Sequence, residues 1–420
     1  MVGSEISHRF RSLFQKTESV SHRVEQISLL VAELGQLKGA AMKFGQFLAL
    51  EGRDFLPDEA IQILEKLQNQ ASFMDLPVIR GILEKELGRE ISQLERFSEQ
   101  PIAAASIGQV HTAWVDGKKV AIKIQYPGIR ETLESDLKIF KRVANTGLFF
   151  LGKREILLDS LLEELRELFT QETHYLIEAD FTQRFAELTS HLEWIQVPQV
   201  NLALTTDQVL TLSYENGHTL SKCLRGGLLS KELKTYYSQK ILGLYIKEFC
   251  DWGLVQTDPN LGNFLLRPEK RELVLLDFGA TKEFTLKFRV LYSQLVLSVL
   301  SGKDTRAMEL AIEMDLIDSQ ESGSARTCLL KLLKESMSPF AKTHFDFSDS
   351  DYTKLMRNHS LALGKELKYS PPPRNLIFLH RKLGGVFQMI RQMGVTLDLR
   401  PYVGPFEELS VRHSVYPQTD

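Results

Sequence analysis

The strongest signal in the chain is Gln256-Thr-Asp-Pro-Asn-Leu-Gly-Asn263, which is followed by Leu275-Leu-Asp-Phe-Gly279. Asn263 and Asp277 offer hard oxygen ligands that can hold magnesium against a triphosphate. Asp258 stands where an attacking hydroxyl or water would be oriented. The order Asp-x-x-x-x-Asn and then Asp-Phe-Gly therefore indicates phosphoryl transfer, with Asp258 as a catalytic residue and Asn263 and Asp277 as metal ligands.

A third motif, Val120-Ala-Ile-Lys123, lies upstream and matches the strand whose lysine contacts the α- and β-phosphates of ATP. A later helix should supply a carboxylate partner for Lys123, for which Glu172 is the first choice and Glu178 the second. Three motifs in this order, at separations that suit two lobes, predict a protein-kinase-like fold. The alternative makes Lys123 an exposed strand lysine and Asp277 a turn residue, and leaves the order of the motifs to coincidence.

Hydrophobic periodicity predicts a small antiparallel sheet among helices. Alternation in Gln109–Trp114 and Lys119–Gln125, joined by Asp116-Gly117, predicts a β-hairpin. Helices are predicted at 19–67, 75–87, 131–143, 157–188, 231–252 and 375–393, and further strands at 208–214, 263–266 and 272–276. This order of elements predicts an α+β fold with two lobes.

The segment Ala103-Ala-Ala-Ser-Ile-Gly-Gln109 stands where a protein kinase has its glycine-rich phosphate loop. Alanine Cβ atoms hold the backbone farther from an anion, so the phosphates must be bound differently in detail. A simple turn of small residues is the alternative, but it does not explain the position directly before the first strand. The predicted nucleotide-binding residues here are Ala103, Ala104, Ala105 and Ser106.

Two other groups of side chains receive no catalytic role. His380-Arg-Lys382 lies on a predicted apolar helix ahead of Gly384-Gly385, where a core or salt-bridged role is favoured over catalysis. Phe345 and Phe347 are predicted to lie in a solvated loop.

Composition limits the functions that need to be considered. The 420 residues include 51 Lys+Arg and 54 Asp+Glu, so the net charge of -3 argues against nucleic acid as a partner. The three cysteines are far apart and form no pair suited to zinc or redox chemistry. No apolar run approaches the ~18 residues of a membrane-spanning helix, so none is expected.

Four segments together resemble the UbiB/AarF family of atypical kinases, and within it the branch that supports coenzyme Q (ubiquinone) biosynthesis. Protein kinases and UbiB itself have histidine at the position of Gln256, whereas the coenzyme Q branch also has Gln-Thr-Asp there, so Gln256 favours this branch. The resemblance extends from about residue 19 to about residue 393. The segments that carry it are Lys38–Gln46, Pro101–His111, Val120–Gly128 and Gln256–Asn260 with Asp277–Ala280.

The resemblance implies a bilobal atypical kinase-like fold with an N-terminal helical extension. The family's Lys-x-Gly-Gln signature matches residues 43–46, and it implies that Lys43 and Gln46 approach the nucleotide and block peptide substrates. The predicted division is an extension at 1–95, a small lobe at 96–215 and a helical lobe at 216–420. The family's Glu-x-x-Tyr-x-x-Glu helix matches Glu172, predicted as catalytic, and Glu178, predicted as a regulatory or supporting residue. Glu215 is also predicted to bind the nucleotide, and Gly279 to be a regulatory or supporting residue.

The implied activity is that of a kinase-like ATPase that binds ATP or ADP with Mg²⁺ and supports ubiquinone biosynthesis. The chain lacks the Ala-Pro-Glu motif of a protein-substrate platform after Asp277, which opposes protein phosphorylation. Two alternatives stay open: a non-catalytic, nucleotide-dependent scaffold, and an ordinary protein kinase.

The resemblance also implies partners and a location. The expected partners are ubiquinone-biosynthesis enzymes and their lipid precursors, with room for peripheral membrane contact and for a dimer. In a bacterium the expected location is the cytoplasm or the surface of the inner membrane. In a eukaryote it is the matrix face of the mitochondrial inner membrane.

Overall fold

A computed structural model of the chain describes residues 73–105, 107–150, 155–258, 260–369 and 374–413. Lys43, Gln46, Ser106 and the helices predicted between residues 19 and 67 lie outside the described residues. The α+β, two-lobed architecture predicted from the sequence is confirmed. The boundaries placed after residues 95 and 215 stay a prediction.

The small lobe is built on an antiparallel sheet of four strands, which lie side by side in the order Ala103–Ala105, Gly108–Val115, Lys118–Gln125 and Val209–Ser213. In chain order, the described elements up to residue 213 are α1 (Leu76–Leu87), β1 (Ala103–Ala105), β2 (Gly108–Val115), β3 (Lys118–Gln125), α2 (Ile129–Phe150), α3 (Glu155–Glu172), α4 (Tyr175–Thr189), β4 (Ile195–Gln196) and β5 (Val209–Ser213). Asp116 and Gly117 have φ of 51° and 72°, which fits the tight hairpin turn predicted between β2 and β3.

The alternation of β3 decides which way Lys123 faces. Ile122 and Ile124 are fully buried in a cluster with Ile79 and Leu83 of α1. Because neighbouring residues of a strand point to opposite faces, Lys123 lies on the other face of the sheet. Helix α1, which the predicted division assigned to the extension, is thus part of the small lobe's core.

The large lobe is mainly helical, and its described strands form a four-stranded sheet, which also includes β4, and two two-stranded sheets. Its described elements are β6 (His218–Thr219), α5 (Leu220–Arg225), α6 (Lys231–Lys247), a π-helical turn (Glu248–Trp252), β7 (Leu254–Gln256), β8 (Phe264–Arg267), β9 (Glu272–Leu275), β10 (Thr281–Glu283), α7 (Leu286–Leu300), α8 (Asp304–Glu313), α9 (Gly323–Met337), β11 (Phe345–Asp346), α10 (Ser350–Glu366), α11 (Arg374–Met393), β12 (Thr396–Leu397) and α12 (Gly404–His413). None of the described helices is long and apolar enough to cross a membrane.

The two short pairings bring the sequence motifs of the large lobe together. Antiparallel β8 and β9 set Phe264 opposite Leu275, and the Leu276 N–H donates to the Asn263 carbonyl at 2.9 Å. Strand β7 pairs with β10, with Gln256 opposite Thr281. The segments before Asp258 and after Asp277 are therefore neighbours.

The helix predicted over 157–188 is two helices. The helical conformation is interrupted at Thr173-His174, where His174 has a non-helical φ of -116° and ψ of 89°. The Thr173 carbonyl accepts hydrogen bonds from Gln125 Nε2 at 3.0 Å and from Arg130 Nε at 2.9 Å. These contacts with distant residues draw the carbonyl out of the helical pattern, so α4 begins anew at Tyr175.

The prediction that Phe345 and Phe347 lie in a solvated loop is wrong. Both rings are buried, at 4% and 5% exposure, and Phe347 packs against Phe387 with a centroid distance of 4.9 Å. Asp346 between them is exposed. The Phe-Asp-Phe alternation of a short strand explains why both aromatic rings point inward.

Candidate active site

A cavity of about 980 Å³ lies between the two lobes. This volume falls within the range of small-molecule sites, at roughly 300–1,000 Å³. Every described residue predicted as catalytic, nucleotide-binding or metal-binding lines it: Ala103, Ala104, Ala105, Lys123, Glu172, Glu215, Asp258, Asn263 and Asp277. Glu178 lines it as well.

Lys123 links the two lobes through two carboxylates. Its Nζ donates to Glu178 at 2.9 and 2.8 Å and to Asp277 Oδ2 at 3.2 Å. It also lies 5.1 Å from the centroid of the Tyr175 ring. A strand of the small lobe, helix α4 and the Asp-Phe-Gly segment thus converge on one ammonium group.

The first choice of Glu172 as the carboxylate partner of Lys123 is wrong, and the second choice, Glu178, makes this ion pair. Glu172 is buried at the end of α3 and lines the same cavity. Because α4 starts after the break at residue 174, Glu178 lies in its first turn, on the face that meets β3. The prediction that Glu172 is catalytic stays open apart from this pairing.

Burial and neighbouring charges shift both partners of the pair. Burial and Asp277 raise the pKa of Glu178 to about 7, although Lys123 opposes the rise. Burial alone would lower the pKa of Lys123, but Asp277 and Glu178 raise it well above its usual value. Lys123 is therefore a stable cation at the cavity wall, which suits contact with phosphate oxygens.

The segment that follows β7 orients Asp258 and Asn263 toward each other. Asp258 Oδ2 accepts a hydrogen bond from Asn263 Nδ2 at 2.8 Å, and its Oδ1 accepts from the Asn260 N–H at 3.2 Å. This orientation of the Asn263 amide leaves its oxygen as a ligand atom. Asp258 is held in place but remains on the cavity surface, where a nucleophile could be oriented.

The donor set fits magnesium shared with a nucleotide. Asp277 Oδ1 accepts from the Gly279 N–H at 2.9 Å, and the other carboxylate oxygen faces Lys123. Magnesium usually binds one or two protein oxygen ligands together with substrate phosphates, and Asn263 with Asp277 supplies that number. The described residues contain no cluster of three or more His, Cys, Asp or Glu that could cage a metal by itself.

The predicted phosphate loop is partly a strand. Residues 103–105 form β1 and pair with β2, with Ala103 opposite Val110 and Ala105 opposite Gly108. Gly108 does not need a positive φ; it needs space, since a Cβ there would lie 2.3 Å from the Ile124 carbonyl oxygen. The glycine therefore permits close strand packing, and the three alanines present the surface to the cavity.

Gly279 also fills a tight position. A Cβ at this residue would lie 3.2 Å from Glu178 Oε2 and 3.3 Å from Asp277 Oδ1. The preceding residue, Phe278, is fully buried and packs on Phe185 of α4 at 4.7 Å between centroids. The motif thus positions Asp277 through one buried ring and one small residue.

The sequence did not reveal that a residue of the large lobe, Arg267, binds the segment between the lobes. Arg267 of β8 pairs with Glu215 at 2.6 Å and donates from Nε to the Asn216 carbonyl at 2.9 Å. Ser213 Oγ also donates to Glu215, at 2.9 Å. The Glu215 side chain therefore joins the lobes, and any nucleotide contact by Glu215 stays a prediction.

Comparison with known proteins agrees with this geometry. The ABC1 atypical kinase-like domain matches residues 66–311, which is more than half of the chain. The chain belongs to this ABC1 family. The match confirms the predicted resemblance to the UbiB/AarF group and the kinase-like α+β fold.

Relatives within the ABC1 family cover most of the chain. The Saccharomyces cerevisiae protein named atypical kinase COQ8, mitochondrial, is 30% identical over 377 residues, which is 88% of this chain and 74% of that protein. The Caenorhabditis elegans atypical kinase coq-8, mitochondrial, is 30% identical over 376 residues, covering 88% of this chain and 49% of that protein. Both alignments therefore cover 88% of this ABC1 chain.

One solved structure shares the architecture of this ABC1 protein. The complex of Rv3197 with erythromycin from Mycobacterium tuberculosis superposes with a TM-score of 0.61 at 25% identity. The superposition covers 88% of this chain and 92% of that chain.

Proposed function

We propose that this ABC1-family chain binds ATP or ADP with Mg²⁺ in the cavity between its lobes and catalyses phosphoryl chemistry there. The observation that carries the proposal is the convergence of Lys123, Glu178 and Asp277 beside the bonded pair Asp258 and Asn263. A site that only bound nucleotide would have no need of a carboxylate placed like Asp258 to orient a nucleophile.

Each side chain has a defined task in this proposal. Lys123, kept charged by its two carboxylates, binds phosphate oxygens. Asn263 and Asp277 would hold Mg²⁺, which supplies charge neutralisation at the phosphates when bound. Asp258 orients the attacking hydroxyl or water and accepts its proton, while the Asn263 amide holds the carboxylate in place.

The biological role we propose is support of ubiquinone biosynthesis. It rests on relatives named COQ8 and coq-8 and on the glutamine at position 256. Biosynthetic enzymes and their lipid precursors are the proposed partners, with peripheral contact to the membrane on which they work. Because these relatives are named mitochondrial, we propose a mitochondrial location in a eukaryote, at the matrix face of the inner membrane, and in a bacterium the cytoplasm or the inner membrane surface.

Phosphate release from the purified protein tests the proposal, with Asp277→Asn as the matched variant. Removing the carboxylate charge keeps the shape of the side chain and is expected to lower turnover by about 10²-fold or more, since it weakens electrostatic stabilisation of the transition state. Equal rates for wild type and variant would favour a nucleotide-dependent scaffold. Robust phosphorylation of a protein substrate would favour an ordinary protein kinase.

Quinone profiling tests the biological part of the proposal separately. Cells that lack the gene are expected to regain ubiquinone when they express the wild type and to remain deficient when they express Asp277→Asn. Full rescue by the variant would contradict a need for phosphoryl chemistry in this role.

A further inference from the structure

A second buried polar cluster lies behind the segment that carries Asp258. It consists of Glu248 in the π-helical turn, Gln256 at the end of β7 and Lys382 in α11. The three residues are 1%, 4% and 3% exposed, and none of them lines the cavity described above. The cluster thus belongs to the protein interior and has no direct access to a ligand.

Hydrogen bonds lead from this cluster to the metal-binding segment. Lys382 Nζ donates to Gln256 Oε1 at 2.7 Å, and Gln256 Nε2 donates to the backbone carbonyl of Asp277 at 3.1 Å. Lys382 Nζ also lies 3.6 Å from Glu248 Oε2, which makes an ion pair longer than a hydrogen bond. One glutamine amide therefore bridges a buried lysine and the residue predicted to hold Mg²⁺.

A lysine is well suited to orient this amide. The amide of Gln256 can be turned over, and only one orientation presents its N–H to the Asp277 carbonyl. The Lys382 ammonium has only N–H donors, so its hydrogen bond to Gln256 Oε1 fixes the amide oxygen on the lysine side. Without this donor, a turned amide would place its oxygen against the Asp277 carbonyl oxygen, and the buried contact would be lost.

The neighbouring residue of α11 holds the next position of the same segment. Arg381 Nε donates to the Thr257 carbonyl at 3.3 Å. Thr257 in turn donates from its N–H and its hydroxyl to the Ala280 carbonyl, at 3.0 and 2.6 Å. Helix α11 is therefore bonded to both residues that precede Asp258, and both of these are bonded to the Asp277–Ala280 segment.

We propose that Lys382 is a positioning residue for the nucleotide chemistry: through Gln256 it fixes the backbone of Asp277 and the start of the segment that bears Asp258. This inference rests on the function proposed above. It gives α11 a role in setting the geometry of the metal site, although the helix contributes no described cavity-lining residue.

The test compares three variants with the wild type. Lys382→Met removes the donor and keeps the length of the side chain, and Lys382→Met/Glu248→Gln also removes the carboxylate charge that would be left buried. Gln256→Met removes the bridging amide and leaves the ion pair of Lys382 and Glu248 in place. Arg391→Met is the control, because it removes an exposed cation from the same helix.

The readouts are ADP affinity with and without Mg²⁺, measured by calorimetry, and kcat and KM for phosphate release. Loss of a group that orients a metal ligand typically costs about 10- to 100-fold in metal affinity or activity. We expect such a loss in the Mg²⁺-dependent gain of ADP affinity and in kcat for Lys382→Met/Glu248→Gln and Gln256→Met. Metal-free ADP affinity should change little, and Arg391→Met should behave as wild type.

Two results would overturn the role of Lys382. One is a folded double variant, with wild-type melting temperature, that keeps the full Mg²⁺ effect and kcat. The other is wild-type protein whose ADP affinity does not depend on Mg²⁺. If the wild type binds Mg²⁺–ADP but releases no phosphate, the proposed catalytic function fails, and the Mg²⁺ dependence of ADP binding in Lys382→Met/Glu248→Gln still decides the role of Lys382.

Discussion

Two lysines in the described part of the chain are linked to Asp277 by different routes. Lys123 reaches the Asp277 carboxylate directly and borders the cavity. Lys382 reaches the Asp277 backbone through the Gln256 amide and lies behind the cavity wall. One lysine faces the space where a ligand would bind, and the other faces only protein.

The charged groups around the two lysines, and the resulting pKa shifts, also differ. Lys123 lies between two carboxylates, which raise its pKa well above the usual value in spite of burial. Lys382 has one carboxylate at 3.6 Å, and burial lowers its pKa although Glu248 and Asp258 oppose this. This difference supports the proposals that Lys123 binds an anion as a stable cation and that Lys382 acts as a hydrogen-bond donor that orients Gln256.

The largest expected effect belongs to Lys123→Met. It removes the cation predicted to contact the phosphates, and we expect phosphate release to fall by about 10²- to 10³-fold, the usual scale for one strong electrostatic contact in an active site. ADP affinity measured without Mg²⁺ should fall as well. In the Lys382 variants that affinity should stay constant, so the two lysines separate in one binding experiment.

Lys118→Met provides the control for this experiment, because Lys118 is exposed on the same strand. The fold should tolerate Lys123→Met, since Glu178 already has a pKa of about 7 and can take up a proton when its cation is removed. Unchanged metal-free ADP affinity in a folded Lys123→Met protein would remove the contrast between the two lysines.

Local sequence patterns explain why the surroundings of Lys123 could be predicted from the sequence. Two-residue alternation and an Asp-Gly turn define the hairpin that carries Lys123, and the motif spacing places Asp258, Asn263 and Asp277 in one loop region. All of this information lies within short stretches of the chain.

The rest of the site depends on contacts between distant residues. The break that places Glu178, rather than Glu172, at Lys123 is fixed by Gln125 and Arg130 reaching the Thr173 carbonyl. Lys382 meets Gln256 across 126 positions of sequence, so no local pattern could indicate the pair. The sequence predicted a core or salt-bridged role for this part of α11, and the buried ion pair of Lys382 with Glu248 agrees with it.

A prediction of intermediate size concerns the pH dependence of stability, and it tests Lys382 through its ion-pair partner Glu248. Burial raises the pKa of Glu248 from 4.5 to about 7, although Lys382 and the Gln256 backbone oppose the rise. Between these two values the folded state binds more protons than the unfolded state, so the contribution of Glu248 to stability falls as pH rises. One such group changes the free energy of unfolding by up to about 1.4 kcal/mol per pH unit.

Urea unfolding of wild type and Glu248→Gln at pH 5, 6 and 7 measures this contribution. Relative to the variant, the wild type should lose stability as pH rises across this window. Glu313→Gln, a substitution at an exposed glutamate of α8, should run parallel to the wild type. Parallel behaviour of Glu248→Gln as well would mean that Glu248 is ionised in both states, and that Lys382 is paired as strongly as Lys123.

The smallest expected effect concerns the surface that shares the cavity with Lys123. Ala104 lies exposed in β1 and lines the cavity, and its backbone is held opposite Gln109. In Ala104→Gly the missing Cβ lets the backbone come nearer to an anion. The affinity for ATP, which has one more phosphate, should therefore increase more than the affinity for ADP. We expect the ratio of ATP to ADP affinity to shift by only about two- to fivefold, which corresponds to about 0.5–1 kcal/mol of binding free energy.

Ala113→Gly is the matched control, because Ala113 lies in the same sheet but is fully buried against α1. It should lower the melting temperature without changing the ratio of the two affinities. If Ala104→Gly also changes only the melting temperature, the alanines of β1 are structural, and nucleotide recognition in the small lobe depends on Lys123. A shift of the ratio in Ala104→Gly alone would show that the surface facing the ligand includes the β1 backbone as well as Lys123.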